Sequence, residues 1–490
     1  MHKRRLTKPW EHYRGSLGGV WEVWRKDKLN NHYNVPWEEV TLPHCYNAED
    51  CVDPDRLYYE GPGWYRTKLS LNNPYPGGRT LLHFEGAGQR SDVYVFTEKV
   101  GSHLGGYDEF TVDITEAAAR GSYRELYGDH IPIAVMCDNT RDLETVPSDV
   151  SDFNLYGGLY RYVNLVYVPE VSLEYVHVET LSVTAEAAEI RVKARLYNPN
   201  GVKQPLLASV TIFAPEGKPL FRKEVSIEPG QGFQELARLS VPNPELWHTD
   251  APKLYKCKVD LHHPQQGWTT GLEERFGLRF FEFVHKGPFK LNGERSLLRG
   301  THRHEDHAGL AAAMTEELIR KEMALIKEMG VNFIRLGHYQ QSRIVLELCD
   351  ELGILVWEEI PWCRGGIGGE RYRRQCRDML TAMIEQHYNH PSVILWGLGN
   401  ENDWEADFDS FDQEEIRAFM KELHELAHSL DDSRLTSIRR CEFCKDIIDV
   451  YSPSIWAGWY RGIYPEYESY TRAGFEETER FFHMEWGPIT

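Results

Sequence analysis

The hydrophobic period of this chain changes once, near residue 281, and that change limits the fold more than any other feature. Before it, apolar and polar residues alternate in short runs: DVYVF at 92–96, YRYVNLVYV at 160–168 and EIRVKARLY at 189–197. Turn clusters such as NPYPGG, NPNG and EPGQG separate the runs. A period of two puts successive side chains on opposite faces of a strand, so this half reads as β-sandwich. The run ending at Val168 closes one set of strands and a second set extends from Tyr175 to Phe281, a stretch of immunoglobulin-like length. The expected units are therefore a β-sandwich at 1–170 and a second at 171–281.

From residue 290 strands alternate with helices. SLLRGTH, NFIRLGH, LVWEEIP, VILWGLGNE, LTSIRR, DVYSPSIW and FFHMEWG read as strands. TEELIRKEMALIKEMG, QSRIVLELCDELG and FDQEEIRAFMKELHELAHSL are helical stretches between them. Thr315 is placed to cap the first helix with its hydroxyl, and Gly330 to close it. Repeated strand–helix units imply a parallel sheet, and seven in a row favour a closed (β/α) barrel of the TIM type across 282–490. Seven is one short of eight. The reading expects a barrel lacking its eighth strand, either in a piece of a longer chain or with two unpaired edges.

Composition narrows the partners. A net charge of −20 with 75 acidic against 55 basic residues disfavours nucleic acid and anionic membranes. No stretch reaches about 18 apolar residues, and MHKRRLTKPW lacks an apolar segment behind its basic residues. The expectation is a cytoplasmic protein, with a periplasmic or secreted location open if a leader was removed. Nine cysteines without a disulfide-framework spacing suit free thiols, the CEFC stretch at Cys441–Cys444 included. No metal or cofactor is expected, and a homo-oligomer is left open.

In a (β/α) barrel the chemistry sits where strands end at their carboxyl side. The apolar run Val393–Trp396 leads straight into Gly397, Gly399, Asn400 and Glu401, which places a carboxylate at that end of the fourth strand. Glu485 ends the seventh. His302, His304, Arg335, His338, Glu358, Glu359, Arg439 and Arg440 fall at the ends of the others. Two carboxylates across a barrel mouth suit glycosidic cleavage, where one protonates the leaving oxygen and the other attacks the anomeric carbon or activates water. A glutamate at a strand end is as commonly a salt-bridge group. His302, His304 and His307 together also have the composition of a metal site.

NHPSVILWGLGNEND resembles the acid/base motif of glycoside hydrolase family 2. VTLPHCYNAED, GPGWYRTKL and SDFNLYGGLYRYV resemble that family's sugar-binding-like first domain, and NPELWHTDAPKLY and ERFGLRFFEF the end of its immunoglobulin-like domain. LNGERSLLRGTHRHEDHAG, GVNFIRLGHYQ, CDELGILVWEEIP and FHMEWGP follow in the family's order. The resemblance implies a retaining mechanism with Glu401 as a protonated acid/base and Glu485 as an ionised nucleophile. The two carboxyl groups should then lie about 5 to 5.5 Å apart. It implies that Arg335 keeps Glu485 charged, or else pairs with an acid of the third strand. Asn400 is expected at the sugar 2-hydroxyl, His304 and His338 along the sugar pocket, and Asp152 reaching over from the first domain to the outer hydroxyls. LGHYQ with RHEDHAG is similar to β-galactosidases, so a carbohydrate substrate of the β-galactoside type is expected. A β-glucuronidase or another β-glycosidase is the alternative, and a truncated carbohydrate-binding relative the alternative of another class.

Departures from the family pattern are specific. PWCRGG stands where magnesium-dependent β-galactosidases carry a Glu-x-His, so no such metal is expected. The glucuronate-binding Asn-x-Lys of β-glucuronidases belongs to a region beyond residue 490. Trp456 takes the place of a sixth-strand tyrosine that binds the nucleophile, with Tyr451 or Tyr460 as substitutes. FTEKVG replaces an Asn-Gly hairpin turn in the first domain.

Overall fold

A computed structural model describes residues 1–25, 35–148, 150–184, 186–364, 366–405 and 411–485. The first sandwich packs a four-stranded sheet, ordered His2–Arg5, Val163–Val168, Arg79–Phe84 and Phe110–Asp113, on a six-stranded sheet built around Pro62–Leu69, Ile131–Asp138 and Arg90–Val95. Tyr65, Leu82, Phe84, Val93, Ile133, Val135 and Leu165 fill the space between. In the hairpin that follows Arg90–Val95, Phe96 adopts φ 55°, a left-handed conformation that glycine or asparagine takes more readily.

The second sandwich sets Ser172–Val183, Ala187–Tyr197 and Phe233–Pro242 against Pro219–Ile227, Leu206–Phe213, Tyr255–His262 and Thr269–Phe276. Burial alternates residue by residue through Ala187–Tyr197 and Leu206–Phe213. This follows from one face of each strand meeting the other sheet and one meeting water.

The remainder is a curled, all-parallel sheet of six strands in sequence order: β1 (Gly300–Arg303), β2 (Phe333–Leu336), β3 (Leu355–Glu359), β4 (Val393–Asn400), β5 (Leu435–Arg439) and β6 (Val450–Ser452). Helices α1 (Glu316–Glu328), α2 (Arg343–Leu352), α3 (Glu370–His387) and α4 (Gln413–Leu430) connect β1 to β5. Thr315 accepts the Leu318 N–H at the start of α1, and Gly330 follows its end at φ 83°. Every residue of β3 and β4 is buried, as expected of parallel strands covered on both faces. No helix among the described residues is long and apolar enough to cross a membrane.

Two expectations change here. The sixth strand stops at Ser452 rather than running to Trp456, because Pro453 offers no N–H to continue the ladder. The expected seventh strand is reduced to a single parallel bridge between Tyr451 and Phe481. Tyr451 N–H donates to Arg480 O and Phe482 N–H to Tyr451 O, but the next donor, Met484 N–H, is taken by the Ser452 hydroxyl. The ladder is thereby interrupted just before Glu485. Trp486 and Gly487 of that run lie outside the described residues, and among the described residues no eighth parallel strand joins the sheet.

The first sandwich is locked onto the mouth of this sheet. Buried Arg161 donates from Nε and Nη2 to the two oxygens of Glu305, and Nη2 also reaches Gln340 O. Tyr107 stacks on Tyr339 with ring centroids 4.1 Å apart. These contacts hold the 150–156 segment over the carboxyl ends of the barrel strands.

Candidate active site

Strand β4 ends abruptly because its backbone runs against its neighbours. A Cβ on Gly397 would fall 2.3 Å from Glu359 Cβ and 2.5 Å from Trp357 Nε1, so only glycine fits there. The pairing with β5 slips between Gly397 and Asn400. Glu401 then turns out of the strand at φ 53°, its N–H held by Arg439 O at 2.9 Å. A non-glycine residue in this region of backbone space is uncommon and costs about 1 to 3 kcal/mol, which neighbouring contacts must offset.

Around that turn opens a cavity of about 800 Å³. Seven of the eight residues singled out in the sequence line it: Asp152, His304, His338, Asn400, Glu401, Trp456 and Glu485. The eighth, Arg335, lies fully buried beneath its floor. Arg335 donates from Nη1 to Glu485 Oε1 at 2.7 Å, from Nη2 to Glu359 Oε1 at 2.8 Å and from Nη2 to Asn400 Oδ1 at 2.8 Å. The two readings offered for this residue, nucleophile partner and salt bridge to a third-strand acid, are both realised.

Asn400 ends β4 with its Nδ2 on Cys363 Sγ at 3.4 Å, so its amide is fixed from two sides and caps no helix. His338 donates from Nδ1 to Glu359 Oε1 at 2.8 Å. Asp152 arrives from the first sandwich and pairs with Arg364 Nη2 at 3.1 Å, while Phe153 stacks on His338.

Arg439, named by position at the end of β5 but given no role from sequence, lies between the two glutamates. Its Nη1 is 2.7 Å from Glu401 Oε1 and its Nη2 is 2.6 Å from Glu485 Oε2. One planar guanidinium thus spans both carboxylates. Burial by itself would raise the Glu485 carboxyl, but Arg335 and Arg439 outweigh it and hold that group below its ordinary range. Glu401 is also met by Arg440 Nη1 at 3.3 Å, again on Oε1. The resemblance led us to expect a protonated Glu401; the structure sets two guanidinium groups, Arg439 and Arg440, against its Oε1.

The substitutes proposed for a sixth-strand tyrosine do not reach Glu485. Tyr451 donates to Glu442 Oε2, and Tyr460 packs edge-on against Trp456 at the exposed rim. Trp456 does not bind Glu485 either; its ring lies under Arg439, Arg440 and Arg461. Arg439 supplies the second donor to Glu485. Reading the sequence also passed over Arg364, Trp404 and Arg461, which complete the lining. They fall in loops, where no periodicity marks a direction.

The histidines that gather are His302, His304 and His338, whose ring nitrogens lie within 4.8 Å of one another; His307 is exposed and turns to Ala308 O. Burial, and after it Arg335, lowers His302 and His338 well below the ordinary histidine range, and burial lowers His304 too. The Arg335 guanidinium beside His338 disfavours a cation at that point, so the three rings serve as neutral hydrogen-bonding groups.

Comparisons with known proteins identify the family and the fold. The sequence model for the TIM barrel domain of glycosyl hydrolases family 2 matches residues 283–481, and the model named glycosyl hydrolases family 2 matches residues 171–279. The crystal structure of Parabacteroides merdae β-glucuronidase is 56% identical with a TM-score of 0.96, over 99% of this chain and 61% of that one. The apo structure of Bacteroides uniformis β-glucuronidase 3 is 56% identical with a TM-score of 0.93, over 99% and 62%. A β-galactosidase of Thermoanaerobacter pseudethanolicus is 31% identical over 86% of this chain and 53% of its own length. The chain therefore spans between half and two thirds of each of these relatives.

Proposed function

The chain belongs to glycoside hydrolase family 2, and from that premise we propose that it is the core of a retaining exo-β-glucuronidase. The observation that carries the proposal is the pair Glu401 and Glu485, projecting into one cavity and joined through Arg439. In the first step Glu485 attacks the anomeric carbon while Glu401 passes a proton to the glycosidic oxygen, and the aglycone departs. In the second, Glu401 takes a proton from water, which attacks the same carbon and frees Glu485. Arg335 and Arg439 keep Glu485 ionised for attack. Both arginines that touch Glu401 lie on Oε1, which leaves Oε2 to meet the leaving oxygen.

The choice of sugar departs from the β-galactoside expected on the strength of LGHYQ. That motif is a handful of residues, whereas the relatives at 56% identity are named β-glucuronidases and the β-galactosidase stands at 31%. Charge supports the same choice. The cavity is lined by Arg364, Arg439, Arg440 and Arg461 against Asp152, Glu401 and Glu485, in a chain whose net charge is −20. Arg461 has no carboxylate partner among the described residues and lies over Trp456. A locally cationic cleft in an acidic protein draws an anionic substrate such as a uronide.

The test is hydrolysis of aryl β-glucuronide, β-galactoside, β-glucoside and β-mannoside by the 490-residue chain, with the anomer formed first read by NMR. We expect kcat/KM for the glucuronide to exceed the others by at least about 100-fold, with the β-anomer appearing first. Preference for the galactoside would overturn the uronide half of the proposal. A folded chain that cleaves none of the four would overturn the enzymatic reading.

A further inference from the structure

On the opposite side of the barrel, at the amino ends of the strands, a second cluster has a composition the proposed glycosidase chemistry does not use. His424 and His428 stand one turn apart near the end of α4, and Asp449 immediately precedes β6. One ligating atom from each lies within 4.8 Å of the other two. The two imidazole rings are 4.6 Å apart at 73°, and His428 Nε2 is 2.8 Å from Asp449 Oδ2. We propose that His424, His428 and Asp449 form a binding site for a divalent first-row transition metal, joining α4 to the start of β6.

The hydrogen bonds around the cluster fix which atoms are available. The Thr436 hydroxyl donates to Asp449 Oδ2 at 3.0 Å, and a carboxylate can only accept. Its proton being committed there, Thr436 Oγ1 must accept at its other contacts, from Asp449 N–H at 3.3 Å and from His424 Nδ1 at 2.8 Å. His424 is therefore the Nδ1–H tautomer, with the lone pair of Nε2 unprotonated. This is the arrangement metal-binding histidines adopt, one nitrogen donating to a neighbouring group and the other free for the ion. Thr436 N–H also donates to Asp449 Oδ2 at 2.8 Å, so the carboxylate is oriented from β5 as well.

The setting favours a cation. His428 sits in the last turn of α4, where the helix dipole is negative. All three side chains are part-exposed, so an ion has access from solvent. In the metal-free protein His428 Nε2 faces Asp449 Oδ2 across a hydrogen bond; a divalent ion takes the place of that hydrogen, with the His428 ring carrying its proton on Nδ1. Two adjacent ligands on an octahedral ion with bonds of about 2.1 Å lie about 3.0 Å apart, against about 3.4 Å on a tetrahedral one. The 2.8 Å separation of His428 and Asp449 therefore suits an octahedral ion such as Ni²⁺ or Co²⁺, with water on the remaining faces, better than Zn²⁺.

The experiment is calorimetric titration of the full chain with NiCl₂. We expect one equivalent to bind, and the affinity to fall at least about tenfold in His424→Gln and in Asp449→Asn. Thr436→Val, which touches no metal, should lose about 10- to 100-fold through the freed His424 ring. His304→Ala, at the other candidate histidine group, should leave this binding unchanged. Affinity unaltered in both His424→Gln and Asp449→Asn, or no binding at all, would overturn the proposal. Thermal melting in EDTA shows whether each variant folds; where one does not, loss of the Co²⁺ d–d absorption in the other decides.

Discussion

The immunoglobulin-like sandwich and the barrel both bury nearly every inward-facing residue, yet they fill the space with different chemistry. The sandwich core is a continuous cluster of apolar side chains, Val176, Ile190, Val192, Val210, Ile212, Val259 and Leu261 among them. The upper barrel holds Arg335, Glu358, Glu359, His387, Asn400 and Arg439 at similar burial. Charges out of water are costly unless each has a partner. Here they have them: Arg335 with Glu359 and Glu485, Glu358 with His387, Arg439 with both glutamates. The sandwich is held by interchangeable contacts, and the barrel floor by particular ones.

The largest effect that would test this contrast is on turnover. Glu485→Ala should lower kcat by about 10⁴-fold or more while circular dichroism stays native; near-normal turnover would remove Glu485 from the chemistry. Next is stability. Arg335→Met strands Glu359 and should cost about 3 to 5 kcal/mol in urea unfolding, and adding Glu359→Met should recover part of it. If the single variant unfolds like the parent, the buried network is not what holds the floor.

In the sandwich, Ile190→Val should cost only about 0.5 to 1.5 kcal/mol and leave kcat/KM unchanged. A change in kcat/KM there would mean the two regions are energetically coupled.

The smallest effect is the dependence on acidity. Glu485 has its folded value lowered below the ordinary 4.5, so its contribution to stability is present above that value and is lost as pH falls through the folded one. The melting difference between the parent and Glu485→Gln should accordingly shrink as pH drops below about 4.5. A difference that is flat with pH would mean the guanidinium pairs contribute nothing to folding.

Sequence alone revealed the regions unequally. Alternation in EIRVKARLY was enough to place the core of the second sandwich, because period two has one structural meaning when a face is buried. Glu401 and Glu485 could be found because strand ends face the barrel mouth. The bridge made by Arg439 could not, since it depends on how two neighbouring strands twist. Nor could the interruption of the seventh strand, where a Ser452 side chain takes the hydrogen bond that continued pairing needs. The proposed uronide was harder to read, because a short histidine motif says little about charge and the arginines that alter the field come from three separate segments.

The left-handed backbone at Glu401 means that folding and chemistry ask for different residues at one position. Glycine adopts that conformation without penalty, so if folding were the only requirement glycine would be preferred there by about 1 kcal/mol or more. An inactivated protein made for trapping a substrate should therefore be built with glycine at this position rather than alanine. It would melt higher than the Glu401→Ala protein, and the difference would measure the strain that a side chain keeps in this left-handed backbone.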